Sequence, residues 1–194
     1  MFTGLVEGKA RIVALDREGS GIRMGVAMGL LSDDVKLGDS ICVSGCCLTV
    51  VRKEEQNCWF ELGAETLSKT RFASMSVDQE VNMERSLKVG DRMGGHFVTG
   101  HVDGLGTVSH RGNDGPWSTF RFTAPRDLLV QMVPKGSITV DGVSLTIVDV
   151  SDSEFSVALI PHTLDVTTLG MLQVHDQVHL ETDILAKYAQ RVFP

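Results

Sequence analysis

Apolar positions in this chain fall in short runs separated by Gly, Asp and Asn turns, and most runs alternate with period two. The first set occupies 6–15, 22–28, 41–43, 48–51, 58–62 and 81–84. Such alternation predicts half-buried strands, because successive side chains point to opposite faces. A second set follows at 104–109, 119–122, 137–140, 145–150, 155–159 and 177–181. Before the last strand of each set lies a segment of helical character, 66–72 and 163–169. Longer helical spacing appears once, where Ile184, Leu185, Tyr188 and Val192 form an apolar stripe and predict a helix from about 184. From pattern alone that stripe either packs on its own domain or meets the same helix of another subunit.

The two sets are copies. Gly38-Asp39-Ser40-Ile41-Cys42-Val43-Ser44-Gly45-Cys46-Cys47-Leu48-Thr49-Val50 is echoed by Lys135-Gly136-Ser137-Ile138-Thr139-Val140-Asp141-Gly142-Val143-Ser144-Leu145-Thr146-Ile147, an offset of 97. Glu65-Thr66-Leu67 faces His162-Thr163-Leu164 at the same offset, and Glu84 faces Glu181. Thr3-Gly4 faces Thr99-Gly100 at 96. This period exceeds solenoid repeats of roughly 20–50 residues and approaches the size of a small domain. It predicts two domains, 1–97 and 98–194, related by a pseudo-twofold with a cleft between equivalent surfaces. Five to six short strands with glycine turns in each copy predict a small closed barrel, and 90–95 reads as the linker.

Composition narrows the function classes. A hydrophobic share of 42% supports packed cores and excludes wholesale disorder. A formal charge of −7 argues against nucleic acid, which asks for a basic face. The N-terminus lacks the basic and apolar regions of a secretory leader, and 25–31 is too short to span a bilayer, so the expectation is a cytoplasmic protein with no membrane partner. Cys42, Cys46, Cys47 and Cys58 show no C-x-x-C spacing and read as free thiols. His96, His101 and Asp103 match no strong ligand pattern, so no metal site is expected; His175 and His179 read as surface residues on a turn and strand.

Chemistry concentrates where the copies differ. If 46–51 is a strand, Cys47 and Thr49 share one face while Leu48 and Val50 take the other; Ser144 and Thr146 share the matching face. The plain alternative is a half-buried strand accommodating small residues, since cysteine often serves as a small hydrophobe. Yet Cys47 faces Ser144, Glu65 faces His162, Leu5 faces His101 and Ser86 faces Asp183. Divergence at matched polar positions fits two similar pockets holding related ligands in different roles. Lys135 is either a solvated lysine or a ligand clamp.

The motifs together resemble the alpha-type riboflavin synthase family. They are Met1-Phe2-Thr3-Gly4-Leu5-Val6, Gly45-Cys46-Cys47-Leu48-Thr49-Val50, Gly94-Gly95-His96-Phe97-Val98-Thr99-Gly100-His101-Val102, Asp141-Gly142-Val143-Ser144-Leu145-Thr146, Ile160-Pro161-His162-Thr163-Leu164, Thr167-Thr168-Leu169-Gly170 and Asp183-Ile184-Leu185-Ala186-Lys187-Tyr188. The resemblance implies an all-β fold of two tandem six-stranded Greek-key barrels plus a short C-terminal helix. It implies a homotrimer, with active sites between the N-terminal barrel of one subunit and the C-terminal barrel of the next, and association with lumazine synthase is a further expectation. Two molecules of 6,7-dimethyl-8-ribityllumazine would stack in each site. One would pass a four-carbon unit to the other, giving riboflavin and 5-amino-6-(ribitylamino)uracil as the last step of riboflavin biosynthesis, with no cofactor or metal.

Carried over by motif, the N-terminal pocket would use Gly4, Leu5, Val6, Cys47, Leu48, Thr49, Glu61, Leu62, Gly63, Ala64, Glu65 and Thr66. The C-terminal pocket would use Gly100, His101, Val102, Lys135, Ser144, Leu145, Thr146, Ile160, Pro161, His162, Thr163, Leu164 and Asp165. Cys47, His101, Ser144, Asp183 and Ser40 stand at positions linked to activity. His101 is the candidate base, and Cys47, Ser144 or water the candidate nucleophile. Ser44 replaces an asparagine common in the family, a difference that touches a turn. The final helix is short, which bears on the strength of a trimer. The alternative reading is a non-catalytic lumazine- or flavin-binding antenna protein of the same fold; a structural module is a third class, and it leaves the polar divergence unexplained.

Overall fold

The computed structural model describes residues 1–192. Twelve strands form two closed antiparallel barrels. The first contains β1 (Gly8–Glu18), β2 (Gly21–Ala27), β3 (Ser40–Val43), β4 (Cys46–Glu54), β5 (Asn57–Leu62) and β6 (Glu80–Arg85), in the spatial order β1-β2-β5-β4-β3-β6. The second contains β7 (Gly104–Asp114), β8 (Trp117–Thr123), β9 (Ser137–Val140), β10 (Val143–Val150), β11 (Glu154–Leu159) and β12 (Gln177–Thr182), in the matching Greek-key order. Closure leaves no free sheet edge to template wrong pairings. Register shifts fall at corresponding places in the two barrels, at Ile12/Ala14 and Val108/His110 and again at Val50/Arg52 and Ile147/Asp149. Such bulges bend strands and help a six-stranded sheet close.

Alternation does what the sequence pattern predicts. Leu48 and Val50 enter the first core with Ile12, Met24, Phe60 and Val81, while Thr49 and Val51 stay outside. The second core stacks Phe122 on Phe120 and Phe155 at ring separations of 5.9 and 5.3 Å. The hairpins β3–β4 and β9–β10 close through Ser44-Gly45 and Asp141-Gly142, all four with positive φ. This is the two-residue turn whose twist matches that of the strands.

These two turns also join the barrels. A Cβ on Gly45 would lie 2.8 Å from the Gly142 nitrogen, and one on Gly142 would lie 2.6 Å from the Gly45 nitrogen, so only glycine permits the approach. Around them a polar lock repeats with the 97-residue offset. The Asn82 side chain donates to the Asp141 carbonyl (2.9 Å) and accepts from the Thr168 N–H (2.8 Å). His179 takes the same part: Nδ1 lies 2.7 Å from the Ser44 carbonyl and Nε2 accepts from the Arg71 N–H at 2.9 Å. His179 is therefore fully buried, and the surface expectation for it is corrected. The offset that aligned the copies places it opposite Asn82, at the interface.

Short helices complete each half. Helix α1 (Ala64–Lys69) and helix α3 (Pro161–Val166) occupy the segments expected to be helical, and α2 (Arg126–Leu129) is an element the strand pattern did not predict. Helix α4 (Ile184–Val192) follows β12. Lys187 pairs with Asp103 at 2.7 Å and Gln190 with Gln131 at 3.0 Å, tying it to the second barrel. Its apolar stripe is left uncovered, with Leu185, Tyr188 and Val192 62%, 68% and 66% exposed. Ile184, the fourth residue of the stripe, is half-buried, so the stripe packs on its own barrel only at its start. No helix among the described residues is long and apolar enough to cross a membrane.

Candidate active site

The site begins with two arms, residues 2–6 and 98–102. Phe2 and Val98 bridge antiparallel, each N–H donating to the other's carbonyl at 2.9 and 3.2 Å. Each arm is tethered to its own barrel by a buried carboxylate. Glu84 accepts from Thr3 N–H (2.6 Å), Thr3 Oγ1 (2.8 Å) and Gly4 N–H (2.9 Å). Glu181 accepts from Thr99 N–H (2.8 Å), Thr99 Oγ1 (2.6 Å) and Gly100 N–H (2.9 Å). Burial pushes both carboxyl pKa values up, while the donated hydrogen bonds pull them down.

Past the tether, each arm crosses to the other barrel. Gly4 O accepts the Ser144 N–H at 2.8 Å, and Gly100 O accepts the Cys47 N–H at 2.7 Å. Val6 packs against the second core and Val102 against the first. The expected grouping is thereby corrected: Gly4, Leu5 and Val6 belong with Ser144, and Gly100, His101 and Val102 with Cys47. The physical reason is local: Gly4 and Gly100 each give their N–H to the glutamate of their own barrel and their carbonyl to the strand of the other, so the chain crosses over at that glycine. Both glycines are obligatory. Gly4 and Gly100 have φ of +75° and +78°, and an added Cβ would lie 2.7 Å from Ser144 Cβ or 2.6 Å from Cys47 Cβ.

The first cleft, about 250 Å3, is lined by Cys46, Cys47, Glu65, Thr66, Lys69, Thr70, Gly100, His101 and Val102. Cys47 is half-buried and His101 exposed, so both side chains are open to a ligand. Cys46 faces the core, and burial pushes its thiol up to about 12, which leaves it inert. Helix α1 starts after Gly63 and brings Glu65 and Thr66 over the opening. Leu48 and Leu62 are core residues, and Glu61 is engaged outside the barrel with Arg23 at 3.2 Å. These three are not brought into the cleft.

At the second site Ser144 and Leu145 are half-buried and Thr146 is exposed, beside the arm carrying Leu5. Helix α3, preceded by Ile160, presents His162, Thr163 and Asp165 where α1 presents Glu65 and Thr66 in the first copy, while Leu164 leans on the core. Thr167 Oγ1 bonds the Thr163 carbonyl at 2.6 Å, as Thr70 bonds Thr66 at 2.6 Å. The linker adds what the first site lacks. Gly95 lies so close that a Cβ would overlap the Thr3 carbonyl and sit 3.0 Å from Ser144 Cβ. His96 follows, with Nδ1 2.8 Å from Ser144 Oγ. Burial lowers the His96 pKa against the opposing charge of Asp183, which favours the neutral ring beside the Ser144 hydroxyl. Sequence reasoning weighed His96 only as a metal ligand; its place directly after the Gly-Gly pair and before the arm was the available signal.

Three expected residues stand apart from the Cys47 cleft. Lys135 is exposed at φ +69°, in the position that Gly38 fills at φ +88° in the first copy. A lysine held in left-handed backbone is strained, and such strain is a feature of functional positions more often than of ordinary turns. Ser40 pairs with Thr49 across β3–β4 and lines a separate groove with Asp39, Arg85, Ser86 and Lys88. Asp183 leads into α4, accepting the Leu185 N–H at 2.9 Å, and acts on His96 through its charge. Among the described residues no group of three His, Cys, Asp or Glu side chains is placed to hold a metal.

Comparison with known proteins agrees with the duplication. The lumazine binding domain family matches residues 3–86 and again 99–183. A riboflavin synthase of Brucella abortus is 40% identical over 99% of this chain and 98% of its own. One from Photobacterium phosphoreum is 39% identical over 99% of this chain and 88% of its own, and one from Mycobacterium tuberculosis is 37% identical over 99% and 98%. Among solved structures, LumP complexed with 6,7-dimethyl-8-(1'-D-ribityl) lumazine superposes with a TM-score of 0.86 at 26% identity, covering 94% of this chain and 99% of that one. LumP complexed with riboflavin gives 0.87 at 28%, with the same coverage.

Proposed function

This chain belongs to the riboflavin synthase family, built from two lumazine-binding domains, and on that basis we propose how its two clefts share the work. The reaction converts two 6,7-dimethyl-8-ribityllumazines into riboflavin and 5-amino-6-(ribitylamino)uracil. The two products contain every atom of the two substrates, so the balance needs no oxidant, reductant or added group. A transfer between identical molecules calls for two similar sites that act differently.

One observation carries this reading: two equivalent sites, at Cys47 and at Ser144, each completed by the other copy's arm, with unlike polar groups at matched positions. The Cys47 cleft places an exposed imidazole, His101, over the opening. The 7-methyl protons of the lumazine are acidic because the resulting anion delocalises into the ring, so a histidine base suffices to remove one. The Ser144 cleft offers a hydroxyl already paired with His96. A nucleophile adding at ring carbon 7 of the other lumazine would make it the acceptor, and Ser144, Cys47 and water are the candidates for that step. Glu65, Thr66, Thr163 and Lys135 supply hydrogen-bonding groups for the ribityl chain and ring edge. Face-to-face stacking of two rings would lower the barrier by orientation before any acid–base step.

The exposed stripe of α4 supports a homotrimer in which the N-terminal cleft of one subunit faces the C-terminal cleft of the next. Ser40 and Asp183, apart from the Cys47 cleft within one chain, would then complete a shared site. A cytoplasmic location and hand-over from lumazine synthase belong to the same proposal. The second reading, lumazine binding without turnover, is favoured only by the likeness to LumP, at 26–28% identity against 37–40% for the riboflavin synthases. Incubating the purified chain with lumazine alone tests the choice. Appearance of riboflavin absorbance and fluorescence is expected; lumazine that binds and stays unchanged would sink the enzyme reading.

A further inference from the structure

We infer that Glu181 is the positioning residue that aims His101 into the Cys47 cleft. The inference deepens the proposed function and rests on it. His101 belongs to an arm with no secondary structure of its own, and it is exposed. Two sets of contacts fix the backbone just before it. On one side the Glu181 carboxylate takes three donors, from the Thr99 N–H, the Thr99 hydroxyl and the Gly100 N–H, at 2.6–2.9 Å. On the other, Gly100 O accepts the Cys47 N–H at 2.7 Å. The peptide leading into His101 is thus pinned between a carboxylate of the second barrel and a strand of the first. Glu181 itself is 2% exposed on β12, a strand paired on both sides with β7 and β9. The clamp is therefore attached to a strand that is held along both edges.

Such a clamp matters most where the residue it leads into carries chemistry, because catalytic groups lose rate when displaced by fractions of an ångström. The duplicate supplies an internal comparison. Glu84 holds Thr3 and Gly4 with the same three bonds, yet the residue that follows is Leu5. One clamp thus aims a base and its twin aims an apolar side chain. Burial raises the Glu181 pKa, so protonation would remove an acceptor oxygen from the arm more readily than at an exposed glutamate.

The test is steady-state riboflavin formation by the full chain and by E181Q, E84Q, H101A and the doubles E181Q/H101A and E84Q/H101A. In E181Q an amide NH2 replaces one acceptor and opposes a backbone N–H, so the arm loosens without loss of volume. H101A should lower kcat about 100-fold. E181Q should lower it about 10-fold with KM within about twofold, and E181Q/H101A should be no slower than H101A, because the clamp acts through the imidazole. E84Q should cost the same factor with or without His101. The inference is overturned if E181Q slows the H101A enzyme as much as it slows the wild type, or if it raises KM at full kcat. Should E181Q fail to fold, T99V removes one donor only and should show the same non-additivity at about threefold. A wild-type chain that makes no riboflavin refutes the functional reading; an active wild type with an equally active E181Q refutes this inference alone.

Discussion

At the residue scale, function rests on differences between matched positions. His101 and Leu5 follow identical Thr-Gly pairs, and Cys47 and Ser144 occupy the same place after matching turns. His101→Ala should therefore lower kcat by about 10²-fold or more while lumazine affinity changes little; equal losses in both would make His101 a binding group only. Gly100→Ala tests the close approach. Its Cβ would lie 2.6 Å from Cys47 Cβ at φ +78°, so the variant should lose about 1–3 kcal/mol and most turnover together. A wild-type melting temperature for Gly100→Ala would contradict the geometry. Much of this scale was legible in the sequence, because a 97-residue offset exposes each matched pair by inspection. The partnership of arm and cleft was not. It depends on which barrel surface an arm reaches beyond its glycine, and no sequence pattern encodes that.

Among elements, the inter-barrel lock makes the most specific prediction. His179 uses both ring nitrogens, donating to the Ser44 carbonyl and accepting from the Arg71 N–H, so it has no place for a second proton. Asp141 and Arg71 are the charged groups beside it, with Phe72 packed on its edge at 4.9 Å. Burial leads the lowering of its pKa. A lowered folded-state pKa means the stabilisation is present above the unfolded value near 6.5 and is lost as pH falls below it. The melting temperature should thus drop between pH 7 and pH 5. His179→Asn, which copies the Asn82 side of the lock, should flatten that dependence, whereas His179→Leu should destabilise at all pH values by stranding two buried polar groups, about 1–3 kcal/mol each. An undiminished pH slope in His179→Asn would place the acid sensitivity elsewhere. The strands themselves were legible because their period is two and their turns carry glycine. His179 was misread because its neighbours look like any strand, and burial at a barrel–barrel interface arises only once both barrels exist. Helix α2 escaped for a related reason: four residues are too few to show a period.

For the whole molecule, the duplicated barrels, crossing arms and exposed α4 residues describe a unit that presents two unlike sites and an apolar face. In the proposed trimer, charge on that face would separate subunits: Leu185→Glu with Tyr188→Glu should yield monomers by sedimentation while the melting transition of the barrels persists. Retained trimers, or a wild type that sediments as a monomer, would remove α4 from assembly. Each site is finished by the other copy's arm, and Cys47 offers a direct reporter of that exchange. Cys42, Cys46 and Cys58 are buried, whereas Cys47 is half-exposed in the first cleft. Alkylation of Cys47 by iodoacetamide, followed by mass spectrometry with and without saturating lumazine, measures occupancy of that cleft alone. Lumazine should protect Cys47 in the wild type and in Gly4→Val, and should fail to protect it in Gly100→Val. Protection kept in Gly100→Val and lost in Gly4→Val would contradict the exchanged arms.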